Sequence, residues 1–290
     1  MKFAGAPISW GVCEVPGWGH QLTPERVLAE MREVGLSATE TGPQGFLPSQ
    51  PEELTTLLGS YGLSCVGSFV PVVLHDTAHD PATDIAGPLE SLVASAADVL
   101  VLAAATGSDG YDSRPTLDDA QWSTLLGNLD RLAEAAADRG ILAVLHPHVG
   151  TMVENRAEVQ RVLDGSAIQL CLDTGHLLIG GTDPVQLARD VPGRIAHAHL
   201  KDVDAAMAAR VQAGELTYTD AVRDGIYTPL GRGDVDIAGL VTALRANGYD
   251  GWFVMEQDTI LAGEPAGEGP IGDVRASVAY LQDVCRAVEV

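Results

Sequence analysis

The sequence predicts a (β/α)8 TIM barrel, and three observations lead to that fold. Short apolar runs alternate with amphipathic helical segments, which is typical of a parallel sheet with a helix after each strand. Eight such strand–helix units can be traced, and 290 residues suit this barrel with some elaboration. No compositional break or linker divides the chain, so we expect one domain over residues 1–290.

The first half of the chain contains four predicted strands, at residues 3–10, 37–41, 63–73 and 99–105. Thr23 and Pro24 are start signals for the first helix, which Gly35 ends. The SQPE sequence at residues 49–52 fits a capping box for the second helix. A third helix is expected at 89–97, and a long fourth helix opens at 116–119 and stops at Gly140.

The second half contains predicted strands at residues 141–145, 168–172, 195–200 and 252–255. Helices are expected at 157–163, 184–191 and 237–247. Residues 203–236, after the seventh strand, are too long for an ordinary loop. We expect this segment to cover the site and to reach a neighbouring subunit of a homodimer or tetramer. An open doubly wound sheet is the alternative, but neither IGG (179–181) nor GRGD (231–234) is a dinucleotide-binding fingerprint.

Composition narrows the class of partner. The chain has 17 Lys and Arg against 40 Asp and Glu, a net charge of −23. Such a field repels nucleic acid and anionic membranes and is indifferent to an uncharged polyol. The four cysteines are scattered, and no apolar run is long enough for a signal peptide or a membrane span. We therefore expect a cytoplasmic protein with a small-molecule substrate.

Polar residues gather at the ends of predicted strands five to eight, where a parallel barrel places its active site. They are His146, His148, Asp173, His176, His199 and Glu256. Neighbouring strands are roughly 4.8 Å apart, so four of these side chains can reach one ion. Imidazoles with carboxylates suit a divalent transition metal better than Ca²⁺. The expected ligands are His146, Asp173, His199 and Glu256, with His148 as the alternative to His146.

Each residue also has a simpler interpretation. Asp173 could only cap the helix that follows it, and His197 is expected to be a partly buried structural residue. Trp10, Glu14, Glu40 and Phe69 could form the pocket wall or could simply pack. We expect the substrate to contact four residues, namely Trp10, His148, Asp202 and Arg232.

Lys201 is the candidate for acid–base chemistry at the barrel mouth. A lysine beside a metal could have a lowered pKa and donate a proton. An ion pair between Lys201 and Asp202 is the equally plausible structural alternative.

With these residues placed, the chain resembles the xylose-isomerase-like barrel superfamily and, within it, the inosose dehydratase family. The resemblance lies in SWG and EVPGWG near the amino terminus and in LHPHVGT (145–151), CLDTGHL (171–177), HAHLKDV (197–203) and GYDGWFVMEQD (248–258). It spans nearly the whole chain. The amino-terminal motifs separate this family from the generic superfamily.

The resemblance implies a divalent metal, most plausibly Mn²⁺ or Co²⁺, with Zn²⁺, Fe²⁺ or Mg²⁺ as alternatives. Asp173, His199 and Glu256 match the superfamily's metal ligands, whereas the strand-five glutamate is replaced by His146-Pro147-His148. The superfamily's epimerases use two opposed glutamates, of which this chain keeps only Glu256.

The implied activity is dehydration of an inosose (2-keto-myo-inositol) in inositol catabolism. Glu256 would act as the base, and His176, Lys201 or His148 as the acid. The alternative is an isomerase or epimerase of an inosose or another unphosphorylated keto sugar. An inactive barrel that has lost its metal is a further alternative, although three of the four ligand positions remain.

Overall fold

A computed structural model describes residues 1–288. The strands are β1 (Lys2–Gly5), β2 (Ala38–Thr39), β3 (Ser64–Cys65), β4 (Gly67–Val72), β5 (Val99–Ala104), β6 (Leu142–Leu145), β7 (Gln169–Asp173), β8 (Ile195–Leu200), β9 (Asp202–Val203), β10 (Tyr227–Thr228) and β11 (Trp252–Met255). The helices are α1 (Pro24–Glu33), α2 (Pro51–Ser60), α3 (Ala82–Ala94), α4 (Asp119–Ala137), α5 (Arg156–Gly165), α6 (Thr174–Ile179), α7 (Pro184–Asp190), α8 (Ala205–Gln212), α9 (Tyr218–Arg223), α10 (Ile237–Ala246) and α11 (Ile271–Val288). Two short 3-10 helices cover Pro7–Trp10 and Pro192–Arg194.

Nine strands form one parallel sheet in the order β3-β2-β1-β11-β8-β7-β6-β5-β4. Its two edge strands, β3 and β4, are consecutive in the chain and are separated only by Val66. The Val66 amide donates to Thr39 O of β2 (2.9 Å), and its carbonyl accepts from Val99 N of β5 (3.2 Å). This residue therefore joins both edges and closes the ring, which confirms the predicted TIM barrel.

The barrel strands are apolar because both of their faces are covered. All six residues of β5 are buried, and small side chains such as Ala4, Ala38 and Val66 pack together in one interior cluster. The larger apolar residues pack between the sheet and the surrounding helices. No helix among the described residues has the length and apolar character required to cross a membrane.

Three predicted elements need correction. The first strand ends at Gly5, and Pro7–Trp10 forms a 3-10 helix, because Pro7 cannot donate a ladder hydrogen bond. The SQPE capping box is wrong: Gln50 is the N-cap of α2, and no side chain caps it. The third helix begins at Ala82 and ends at Ala94, with Pro88 inside it.

Residues 203–236, which we call the excursion, fold into regular elements rather than a bare loop. They contain helices α8 and α9 and strand β10, which pairs antiparallel with β9. Asp202 holds this excursion in place, since its carboxylate accepts from the backbone amides of Gly231 (2.8 Å), Gly233 (2.9 Å) and Val235 (3.0 Å). The excursion packs over the barrel mouth, as expected. Contact with a second subunit stays a prediction.

Candidate metal centre and active site

A pocket opens at the carboxyl ends of the barrel strands. Its volume is about 550 Å³, including the part open to solvent, which lies in the range of roughly 300–1,000 Å³ usual for small-molecule sites. One wall is apolar and aromatic, and it includes Val12, Trp18 and Phe69. The lining also carries the ionisable residues His146, His148, His199, Lys201, Glu256 and Asp258. The Phe69 ring lies 5.8 Å from the His146 ring and 5.9 Å from the His148 ring, so the apolar wall borders the ionisable groups directly.

Asp173 caps α6, which is the structural role that the sequence suggested for it. Its Oδ1 accepts from the backbone amides of Gly175 (2.8 Å) and His176 (2.9 Å). Its Oδ2 is buried and lies 3.1 Å from His146 Nε2 and 3.8 Å from His199 Nδ1. Capping fixes the carboxylate, so that the second oxygen is held toward the cluster of imidazoles.

His199 presents one nitrogen to the site because its other nitrogen is engaged. Nε2 lies 3.0 Å from Glu40 Oε1, and a carboxylate oxygen can only accept, so Nε2 carries the proton. Nδ1 is the nitrogen directed at the cluster, 3.1 Å from Glu256 Oε2. Burial opposes the charged form of His199, but Cys171, Glu256 and Glu40 outweigh it and raise its pKa well above the ordinary value. A metal ion bound by Nδ1 would therefore displace a proton from it.

Glu40 also accepts from His197 Nε2 at 2.9 Å, so one carboxylate orients both histidines of β8. His197 is fully buried rather than partly buried. Burial would raise the pKa of Glu40, but His199 and His197 together lower it to about 2. Glu40 therefore stays ionised inside the barrel, where it was expected only as a possible wall residue.

His146 and His148 differ in the direction of their ring nitrogens. His146 Nε2 approaches Asp173 Oδ2, whereas His148 Nδ1 donates to Val149 O at 2.6 Å. His148 therefore offers only its Nε2 to the pocket. Burial, with the nearby charge of His146 and Lys201, lowers the pKa of His148 well below its ordinary value, so this imidazole is neutral.

Lys201 contacts a set of groups that the sequence did not indicate. Its Nζ lies 3.2 Å from Asp173 Oδ2, 3.0 Å from Glu256 Oε2 and 2.9 Å from Asp258 Oδ1. The expected pair with Asp202 is wrong, because Asp202 faces the backbone amides of the excursion.

The expected lowering of the Lys201 pKa is also wrong. Burial opposes the charged form, but Asp173, Asp258 and Glu256 outweigh it and raise the pKa of Lys201 well above its usual value. The positive charge of Lys201 also favours the ionised form of the carboxyl groups around it. Despite burial, Lys201 and His146 lower the pKa of Asp173 to about 2.

Three further residues of the site were not predicted from the sequence. Asp258 follows Glu256 by two positions, and its Oδ2 accepts from Tyr218 Oη at 2.7 Å. Tyr218 and Tyr227 come from the excursion, and their hydroxyl oxygens lie 3.0 Å apart. The spacing of Asp258 from Glu256 at a strand end was a usable signal. The tyrosines had none, because their positions depend on how the excursion folds.

Three of the four residues that were expected to contact the substrate do not line the pocket. Trp10 is fully buried and its Nε1 donates to Glu30 Oε2 at 2.7 Å, outside the pocket lining. Asp202 is held by the excursion, and Arg232 is exposed and does not line the pocket. Only His148 of that group lines it, together with the possible wall residues Glu14, Glu40 and Phe69.

The donor atoms fit a divalent ion. Asp173, His199 and Glu256 offer atoms within 4.8 Å of one another, and His146 Nε2 approaches the same Asp173 oxygen. The neighbouring separations of 3.1, 3.8 and 3.1 Å are close to the roughly 3.0–3.5 Å between ligands bonded at about 2.1 Å. Two carboxylates and two imidazoles favour a transition-metal ion.

These features define the class of the protein. Residues 28–283 match the xylose isomerase-like TIM barrel family, and the chain belongs to that family.

Within it, the chain is similar to inosose dehydratases, as its motifs predicted. It is 32% identical over 289 residues to the inosose dehydratase of Geobacillus kaustophilus (strain HTA426), covering 95% of this chain and 92% of that protein. It is 33% identical over 267 residues to the rhizopine catabolism protein MocC of Rhizobium meliloti, covering 89% and 82%.

Solved structures share the fold at lower identity. The IolI protein with a bound zinc atom superposes with a TM-score of 0.73 at 14% identity, covering 99% of both chains. L-ribulose 3-epimerase superposes with a TM-score of 0.71 at 16% identity, covering 100% of this chain and 96% of the other. At these identities the likeness establishes the barrel alone.

Proposed function

We propose that this protein is a metal-dependent hydro-lyase of the cytoplasm that dehydrates an inosose (2-keto-myo-inositol) in inositol catabolism. The observation that carries the proposal is that Asp173, His199 and Glu256 offer ligand atoms within 4.8 Å of one another, and that His199 and Glu256 line the pocket. The 32% identity to an inosose dehydratase supports the choice of reaction.

Asp173 Oδ2, His199 Nδ1 and Glu256 Oε2 would hold the ion, with His146 Nε2 as the fourth donor. Mn²⁺ and Co²⁺ are our first choices, and the zinc bound by IolI keeps Zn²⁺ among the candidates. When bound, the ion supplies positive charge that stabilises the enolate form of a ketone.

We assign the role of base to His148 rather than to Glu256, the base that the family resemblance implied. Glu256 Oε2 is already engaged by Lys201 and His199. Burial would raise the pKa of Glu256, but His199 and Lys201 hold it well below its usual value, which makes a weak base. His148 is neutral, lines the pocket and has its Nε2 free to accept, because Nδ1 donates to Val149 O.

In this scheme His148 Nε2 removes the proton α to the ketone, and the electron pair of the C–H bond forms the enolate. The carbon–oxygen bond to the β-hydroxyl then breaks as the enolate collapses to an unsaturated ketone. The imidazolium of His148 returns its proton to the departing hydroxyl, which leaves as water. Lys201, which holds its own proton tightly, stays charged and keeps the carboxylates of Asp173 and Glu256 ionised and in place.

The pocket suits an uncharged keto-polyol. Lys201 is the only lysine or arginine in the described pocket lining, and three carboxylates already neutralise it. A phosphate group would lack a cationic partner there. The net charge of −23 argues in the same direction against nucleic acid.

The alternative is an isomerase or epimerase of an inosose or another unphosphorylated keto sugar. It begins with the same proton abstraction, and an epimerase shares the barrel. An epimerase needs a second group on the opposite face of the substrate to return the proton. His146 stands where the superfamily has its second glutamate, and its Nε2 is directed at Asp173 Oδ2.

The test is turnover of scyllo-inosose by protein loaded with Mn²⁺ or Co²⁺, with chelated protein as the control. We expect loss of one water, followed by mass and by ultraviolet absorbance of the dione, only in the loaded protein. Solvent deuterium entering the α carbon without loss of water would replace the lyase with the isomerase or epimerase. No change in the substrate under either condition would contradict both.

A further inference from the structure

The Lys201 ammonium lies among four atoms that could each ligate a metal ion. Nζ is 2.8 Å from His176 Nε2, 2.9 Å from Asp258 Oδ1, 3.0 Å from Glu256 Oε2 and 3.2 Å from Asp173 Oδ2. All five residues are buried. The surroundings of this nitrogen are therefore three carboxylate oxygens and one imidazole nitrogen, which is the donor set of a divalent-ion site.

The ammonium does not satisfy this set completely. It has three N–H donors for four acceptors, and Asp258 Oδ1, although 2.9 Å away, has no aligned hydrogen bond. Independently of Lys201, atoms of His148, His176 and Asp258 lie within 4.8 Å of one another. His148, His176 and Asp258 therefore form a second group of possible ligands beside Asp173, His199 and Glu256.

We propose that Lys201 occupies the position of a second cation, so that the protein binds one divalent ion where the ligands alone could bind two. Charge supports this count. Asp173, Glu256 and Asp258 carry three negative charges, which one ammonium and one divalent ion neutralise. A second divalent ion beside Lys201 would leave an excess of two positive charges in a buried site, and such an excess is unfavourable.

Asp173 Oδ2 and Glu256 Oε2 contact both Lys201 Nζ and His199 Nδ1. These two oxygens are therefore shared between the Lys201 ammonium and the set of residues that would hold the first ion. The inference rests on the proposed function only in assuming that the first position takes a metal.

The lysine is held in place by the barrel rather than by its charge alone. Its backbone amide donates to Thr174 Oγ1 at 2.8 Å, and the same hydroxyl donates to its carbonyl at 2.6 Å. Gly175 makes room for its stem, since a Cβ there would lie 2.8 Å from Lys201 Cβ and 2.8 Å from Tyr227 Cε1. Shortening Lys201 should thus vacate a preformed position.

The experiment counts Mn²⁺ ions per chain in the wild type, Lys201→Ala and Lys201→Met. Binding is titrated by electron paramagnetic resonance with elemental analysis, and circular dichroism checks the fold. We expect one ion in the wild type and two in Lys201→Ala, the latter with a spin-coupled signal from neighbouring ions. Lys201→Met should bind one ion, because its side chain fills the same space with a poor ligand for Mn²⁺. Adding Asp258→Asn to Lys201→Ala should return the count to one.

Two ions in the wild type would overturn this inference and leave the metal-dependent function intact. One ion in folded Lys201→Ala, or two in Lys201→Met, would overturn it as well. No ion in any variant would overturn both the inference and the proposed function. Should Lys201→Ala fail to fold, Lys201→Ser takes its place with the same expected count of two.

Discussion

The two halves of the barrel rim differ in chemistry. Strands β6, β7, β8 and β11 deliver the histidines, Lys201 and Glu256 that surround the candidate metal centre. The rim of β1, β2 and β4 supplies an apolar wall that includes Ile8 and Phe69. Glu40, at the end of β2, is the carboxylate of this half that reaches the centre, through His199.

The ionisable groups are therefore concentrated on one half of the rim, and the apolar side chains lie on the other half. Ionisable groups must lie on neighbouring strands to neutralise one another, since a buried charge without a partner is costly. The apolar wall excludes water, which strengthens the electrostatic interactions on the polar side. We therefore expect the polar half to control turnover and metal binding, and the apolar half to control substrate affinity.

The largest effect is expected within the polar half, where two substitutions separate the base from a metal ligand. His148→Gln should lower kcat by roughly 10²–10⁴-fold, the usual contribution of a general base, and leave metal affinity within about threefold. Glu256→Gln should lower kcat and metal affinity together. Steady-state kinetics and metal titration calorimetry measure both quantities.

The control is Glu53→Gln, which changes an exposed carboxylate of α2 outside the pocket lining and should alter kcat less than about threefold. Glu256 would regain the role of base if Glu256→Gln bound metal normally without turning over substrate while His148→Gln stayed active.

The next largest effect tests Glu40, the residue of the apolar half that contacts His199 in the polar half. Glu40→Gln should weaken metal binding by about 10–100-fold, because Glu40 fixes the proton of His199 on Nε2. The matched control is His197→Gln, which alters the other partner of Glu40 and should leave metal affinity within about threefold. Calorimetric titration measures both variants, and equal losses would mean that Glu40 only stabilises the barrel interior.

A smaller effect is expected on the apolar wall. Phe69→Ala should raise KM by about tenfold and change kcat little, because the ring packs beside the substrate space without taking part in proton transfer. Val93→Ala, at an exposed position of α3, is the control. A loss in kcat that matches the loss in kcat/KM would show that this wall acts on the transition state.

The smallest effect concerns the acid stability of the metal-free protein. The pKa of Glu40 falls from 4.5 to about 2 on folding, so the unfolded state binds its proton first as the pH falls. The stabilisation is complete above pH 4.5 and is lost between pH 4.5 and about 2. Glu40→Gln should flatten the dependence of unfolding free energy on pH in that window, measured by urea denaturation. An unchanged slope would contradict the ion pairing of Glu40 with the histidines.

The sequence by itself determined the barrel and the general position of the centre. Alternating apolar runs and helices define the strand order, and the carboxyl ends of parallel strands meet at one rim. Asp173 and His199 lie at the carboxyl ends of their strands and Glu256 follows its strand directly, so their convergence could be predicted without coordinates. The family motifs carried the rest of the prediction.

Only the tertiary structure decided which way each rim side chain points and what it contacts. Successive side chains of a strand face opposite sides, so one residue of register separates Lys201, which enters the site, from Asp202, which binds the excursion. Trp10 lies in the core rather than at the rim because Pro7–Trp10 folds as a 3-10 helix and not as part of the first strand. Contacts between Glu40 and His199, or between Tyr218 and Asp258, join residues distant in sequence. They exist only because the ring closes and the excursion folds over it.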